Sequence, residues 1–310
     1  MQTIRTVRFV TVVGMTLNLI LVFAKAAGGW FFFSQALFAD AVHSLSDLVT
    51  DLAVILGVKY WSAPPDRQHP YGHGRIETLI SAFIGLALAA VGFGLAWDAV
   101  GTIRHGSEHG PAGFAFVIAV FSIISKEALF HLTRAKALAV HSTAMEANAW
   151  HHRSDALSSI PAAVAIALAY FFPKLHFVDP VGAVIVSAFI LYSAWKIVQP
   201  TLHELTEAGV SPEDQAKIYR LASSLPGILG AHALRTRNAS GAIWADIHII
   251  VDPDMTVREG HDLSHQVRDL LVNSDLHIVD VVVHLEPPSP SRSKNASSKK
   301  SDQPDLPFLS

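Results

Sequence analysis

Six long apolar stretches constrain this chain more than any other feature. They lie near Val7–Phe31, Leu37–Trp61, Leu79–Ile103, Phe114–Leu132, Thr143–Phe172 and Pro180–Val198. Each approaches the roughly 20 residues that an α-helix needs to cross the hydrocarbon core of a bilayer. The 310 residues are 51% hydrophobic and only 16% charged, against about 25% charged in soluble domains. The first stretch is too long for a signal-peptide core, is interrupted by Lys25 and is followed by five more. It is read as a true span.

Basic residues set the expected orientation. Arg5 and Arg8 precede the first span, Lys59, Arg67 and Arg75 flank the loop after the second, and Arg134 and Lys136 lie between the fourth and fifth. The opposite loops carry few cations, Arg104 and Lys174 among them. The positive-inside rule then puts both termini in the cytoplasm. A short chain with no targeting extension fits a bacterial inner membrane. The net charge of −3 gives no basis for a nucleic-acid partner. The absence of cysteine excludes thiolate ligation, so any transition metal must be held by the 17 histidines and by carboxylates.

After Pro200 the pattern becomes that of a soluble domain. Ser211 and Pro212 predict a helix through Leu225. Strands follow at Gly230–Arg237 and Ala242–Val251, joined by a hairpin turn over Asn238–Gly241. A helix near Val257–Val272 and a strand near His277–Leu285 complete an αββαβ order, a small α+β domain of ferredoxin-like type. The expected organisation is a membrane all-α domain of six helices (residues 1–200), a cytoplasmic α+β domain (201–287) and a disordered tail rich in Ser, Pro and Lys (288–310).

Three groups of residues carry chemistry. His43 and Asp47 in the second span, and His151 and Asp155 in the fifth, repeat the pattern His-x-x-x-Asp. Four residues is one helical turn, so each pair shares a face. An ionisable side chain at membrane depth costs several kcal/mol unless paired, hydrated or metal-bound. The bland alternative is a set of interhelical hydrogen bonds, yet two matching pairs on separate helices would supply an N2O2 site for a divalent transition metal. Asp40 and Asp51, nearer the helix ends, are read as solvating the path or capping. The second group, Asp66, His69 and His73, has compact metal-site spacing in the first cytoplasmic loop, where Pro70, Gly72 and Gly74 permit tight folding. A solvated, turn-rich loop with incidental histidines is an equal reading of that spacing. The third group is His232, His248, His261, His284 and Glu286, spread over the predicted strands and helix of the C-terminal domain.

These residues make the chain resemble the cation diffusion facilitator family. The resemblance runs from about Arg8 to Pro287 and rests on the segments Ala39–Asp47, His69–Arg75 and His151–Asp155, with the order of six spans and an αββαβ domain. It implies a homodimeric secondary transporter, not an enzyme, that exports Zn2+, Mn2+, Fe2+ or Cd2+ from the cytoplasm in exchange for protons. It implies a transport site at His43, Asp47, His151 and Asp155 and a loop site at Asp66, His69 and His73. A cytoplasmic binuclear site is implied at His232, His248, His261 and His284, with Glu286 where many members carry Asp. A His/Asp pair in both helices resembles the zinc-selective branch, so Zn2+ is the expected cargo and regulator, with Mn2+ and Fe2+ as the alternatives.

The chemistry fits exchange. Zn2+ accepts tetrahedral N/O ligands, and imidazole must be neutral to bind it, so metal and proton compete for the same atoms. An imidazole ordinarily titrates near ~6.5, between the pH values of typical compartments. Gly85, Gly92 and Gly94 would let the third span pack closely or rock, and Arg75 would pair with Glu204 or Glu207. Two rival classes remain. An intramembrane metalloenzyme would need an open coordination position and a general base, and no His-Glu-x-x-His motif occurs. A metal sensor or scaffold acting through the C-terminal domain would not need buried His/Asp pairs.

Overall fold

The computed structural model describes residues 2–106, 110–140, 143–239 and 241–288. The tail expected to be disordered lies outside the described residues apart from Pro288, as does Ser240 in the expected hairpin turn. The helices are α1 (Gln2–Phe31), α2 (Gln35–Trp61), α3 (Arg75–His105), α4 (Gly113–Val140), α5 (Thr143–Ser158), α6 (Ile160–Phe171), α7 (Val178–Leu205), α8 (Pro212–Ala222) and α9 (Val257–Val272), with strands β1 (Gly230–Ala239), β2 (Ala242–Ile250) and β3 (Ile278–Glu286). Among the described residues, six spans are long and apolar enough to cross a membrane, the fifth being Met145–Phe171. The chain divides into two compact units. One comprises Met1–Lys59 and Ile80–Gln199, the other Tyr60–Leu79 and the chain from Pro200 on.

The first unit is built on small side chains. Its core is mostly alanine, including Ala36, Ala39, Ala115, Ala119, Ala162 and Ala165, around Leu37, Ile166 and Ile190. In lipid, where tails are as apolar as leucine, close backbone approach replaces the hydrophobic drive as the source of packing. Large apolar groups are correspondingly turned outward, Phe83 and Trp97 being 75% and 73% exposed. Two of the three glycines expected to allow close packing do so. A Cβ added at Gly85 would lie 2.6 Å from Val198 Cγ2, and one at Gly92 would lie 2.9 Å from Ile190 Cγ2, both on α7. Gly94 meets nothing within 4 Å.

Two elements depart from the sequence expectation. The fifth span is broken at Ser159, between α5 and α6. Pro161 cannot donate to the preceding turn, and the Ser159 hydroxyl donates to the Asp155 carbonyl at 3.2 Å, competing with the helix ladder. The last span runs through Pro200 to Leu205 instead of stopping before it, and ends where Glu207 adopts φ +55° and the Ala208 N–H reaches the His203 carbonyl at 2.9 Å. That is a left-handed helix stop.

In the second unit the αββαβ order holds. Ser211 caps α8, accepting from Asp214 N–H at 3.1 Å, with Pro212 in its first turn. Thr256 and Glu259 close a capping box on α9. The sheet order is β1-β2-β3, with β1 antiparallel to β2 and β2 parallel to β3; α9 forms the crossover. Ala245, Ile247 and Ile249 point one way from β2 and are buried with Leu263 and Val267 of α9 and Ile218 of α8. Strand periodicity therefore sends Asp246, His248 and Ile250 to the opposite face.

Candidate metal centres

Local helix geometry sets up the first centre. On α2, Ser46 and Thr50 bond back to the carbonyls of His43 at 2.6 Å and Asp47 at 2.8 Å. These contacts satisfy the small polar groups within their own helix and leave the Asp47 carboxylate free for other partners. Asp47, His151 and Asp155 each offer a ligand atom, all within 4.8 Å of one another. His151 Nδ1 stands 3.7 Å from Asp155 Oδ1. His43, the fourth expected member, lies one turn before Asp47, and its Nδ1 is buried without a hydrogen-bond partner. It is not among the residues that converge within 4.8 Å.

Two lysines that sequence reasoning did not assign lie beside these residues. Lys126 of α4 contacts Asp155 Oδ2 at 3.0 Å, the side chains being 3% and 8% exposed. Lys25 of α1 pairs with Asp40 at 2.8 Å and donates to Ser44 at 3.2 Å and Ser159 at 3.1 Å. Asp40 is thus the anion of a buried ion pair tying α1 to α2, and neither solvates a path nor caps a helix. A lysine inside an apolar span is itself the signal that could have found both. His152, next to His151, is buried with Nδ1 unpartnered.

The second centre is a turn. Asp66 Oδ1 accepts the N–H groups of His69 at 2.6 Å and Gln68 at 2.8 Å. These hold its carboxyl below the usual carboxylate range. Its two oxygens face His69 Nδ1 at 3.3 Å and His73 Nε2 at 3.5 Å. Gly72 supplies the φ of +85° that the turn requires. His73 Nδ1 faces the Ala63 carbonyl at 3.4 Å, leaving Nε2 toward Asp66; such outer contacts orient an imidazole for ligation. The three residues offer ligand atoms within 4.8 Å of one another. Nearby, Arg75 lies 3.4 Å from Glu207 Oε1 and donates to the Glu204 backbone carbonyl, so the expected ion pair forms with Glu207.

The third centre follows from strand register. His232 pairs with His248 across β1 and β2, and His248 with His284 across β2 and β3, so three imidazoles line up side by side. Their ring centroids are 5.4 Å and 4.6 Å apart. Glu286, two residues beyond His284, shares its face, contacts His232 and lies 3.4 Å from His248 Nδ1. His232, followed by His248, draws the Glu286 carboxyl below its ordinary range. His232, His248 and Glu286 form a ligand-sized group. A bulge after His232, with Ala233 at φ +50°, ends regular pairing beside it. His261 is not in this group; it is exposed on α9, its ring 4.5 Å from that of His265.

Six apolar spans with an appended sheet domain, each carrying histidine and carboxylate clusters, define an integral membrane protein built to handle metal cations. Residues 11–206 match the cation efflux transmembrane domain, and residues 210–288 match the cytoplasmic domain of cation efflux proteins. The chain belongs to the cation diffusion facilitator family of divalent-metal efflux transporters. It is 32% identical over 289 residues to metal tolerance protein C1 of Arabidopsis thaliana, covering 88% of this chain but 61% of that protein. It is 26% identical over 285 residues to the manganese efflux system protein MneP of Bacillus subtilis, covering 90% and 96%. Among solved structures, a cadmium form of the MamM C-terminal domain is 29% identical, covers 25% of this chain and 98% of that one, and has a TM-score of 0.24.

Proposed function

We propose that this chain exports a divalent transition metal from the cytoplasm in exchange for protons, with Zn2+ as cargo and His43, Asp47, His151 and Asp155 as the transport site. The observation that carries the reading is the convergence of Asp47, His151 and Asp155 within helices long enough to span a membrane. Two imidazoles with two carboxylates suit tetrahedral Zn2+. His43 completes that set when its imidazole, whose Nδ1 is buried without a hydrogen-bond partner, turns toward Asp47. Each imidazole gives up a proton site to bind metal, so metal loading on one side and protonation on the other drive the cycle. Alternating access keeps the site from opening to both sides at once.

In this reading residues 1–200 transport, both termini are cytoplasmic, and residues 201–287 form the homodimer contact and sense metal. Asp66, His69 and His73 form a loop site. His232, His248, His284 and Glu286 form the cytoplasmic site, with His261 contributing from α9. Metal bound there biases the transporter by preferring one of its conformations. The membrane is a bacterial inner membrane. Manganese is the second reading for the cargo, favoured by the resemblance to a protein named for manganese efflux.

The test is metal flux into proteoliposomes under an imposed pH gradient, comparing Zn2+, Mn2+ and Fe2+ in the intact chain and in Asp155→Ala. Zinc flux that needs Asp155 and moves protons the opposite way supports the proposal. Flux of manganese or iron alone overturns the metal. No flux of any metal overturns transport and leaves a sensor.

A further inference from the structure

The two buried lysines of the membrane unit have different surroundings. Lys25 is saturated, pairing with Asp40 and donating to Ser44 and Ser159, and its partner carboxylate is outside the metal cluster. Lys126 is paired with Asp155, which is inside it. The two oxygens of Asp155 are divided between neighbours: Oδ2 faces Lys126 Nζ at 3.0 Å and Oδ1 faces His151 Nδ1 at 3.7 Å. A carboxylate used in this way offers a metal one oxygen and not two.

We propose that Lys126 is a positioning residue that holds Asp155 to single-oxygen ligation and thereby sets which cations the cluster accepts. The inference rests on the reading of this cluster as the transport site. A small tetrahedral ion such as Zn2+ takes one oxygen from each carboxylate, whereas a larger ion with a higher coordination number gains from a bidentate one. Holding Oδ2 on the ammonium removes the second oxygen and so disfavours the larger ion. The same ammonium offsets one of the two carboxylate charges of Asp47 and Asp155. A bound divalent ion then leaves an excess positive charge beside the buried Asp155, which favours release over trapping. Pinning the carboxylate is a positional effect and does not depend on the lysine changing its protonation.

The experiment measures equilibrium binding of Zn2+ and of the larger Cd2+ to the full chain in detergent, taking for each the component lost in Asp155→Ala. In Lys126→Met the Asp155-dependent affinity for Cd2+ should rise relative to Zn2+ by roughly tenfold, within the range seen when an outer-shell partner of a metal ligand is removed. Lys126→Arg, which still covers Oδ2, should keep the parent ratio. Lys126→Leu, which likewise has no donor for Oδ2, should move the ratio the same way as methionine, and stands in for it if the methionine variant fails to fold. Equal change for both metals, or none, overturns the role of Lys126 and leaves the transport site standing. If Asp155→Ala removes no binding of either metal, the transport-site reading falls, and this inference falls with it.

Discussion

The candidate metal cluster of the membrane unit and that of the sheet domain use similar side chains in opposite settings. On the sheet, Glu286 is held by the histidines that would share a metal with it, and the rings stand on an open face. Between the helices, Asp155 is held by a lysine, and Nδ1 of His43 is buried without a hydrogen-bond partner. A metal entering the sheet cluster would replace contacts among the cluster's own side chains. One entering the membrane cluster meets a carboxylate already oriented by a resident cation. The two clusters thus share their kinds of side chain and differ in the group set against the carboxylate, imidazoles at Glu286 and an ammonium at Asp155.

The comparison can be broken most forcefully by deleting a ligand in each cluster. Asp155→Ala should abolish proteoliposome flux, because a ligand is worth more than the roughly 10–100-fold attached to an outer-shell partner. His248→Ala should leave measurable flux while lowering metal bound to the C-terminal domain, read by equilibrium binding. Equal loss of flux in both would erase the distinction.

Ion pairs should diverge next. Lys25→Met strands the buried Asp40 carboxylate and should cost about 3–5 kcal/mol in thermal unfolding of the detergent-solubilised chain. Lys217→Met removes a pair with Asp275 that is exposed on the surface and should leave the melting temperature unmoved, since exposed pairs add little. Helix packing follows: Gly85→Leu drives a side chain into Val198 and should destabilise by about 1–3 kcal/mol, while Gly94→Ala, with open space around it, should fold and transport as the parent does.

The smallest effect is that of pH on the second unit. Asp66 and Glu286 have folded pKa values below their ordinary ones. Their contribution to stability is therefore present above the ordinary carboxylate range of about 4 and is lost as pH falls through the lowered values. Between pH 7 and pH 5 these two carboxylates should stay ionised. Carboxylate signals in an NMR titration would check this, and protonation of either group above pH 5 would overturn it.

Much of this was legible from residue order. Apolar length marked the spans, because a helix must be about 20 residues long to cross lipid. Ser211-Pro212 marked α8 through its cap and first-turn proline. The His-x-x-x-Asp pairs marked one helix face each. Spacing could not reveal that Asp40 belongs to Lys25, that Lys126 reaches Asp155, or that α7 continues through Pro200, since each depends on which helices become neighbours.

Residue order alone determined the class of the protein, its two kinds of secondary structure and its inventory of candidate ligands, because hydrophobic length, strand alternation and side-chain chemistry are properties of short segments. Only the tertiary structure decided how those ligands are grouped. It aligned His232, His248 and His284 through strand register, left His261 out of their group, and set a lysine against one oxygen of Asp155. Such pairings join residues far apart in the chain, and their energies depend on burial and on neighbouring charge, which no local pattern encodes.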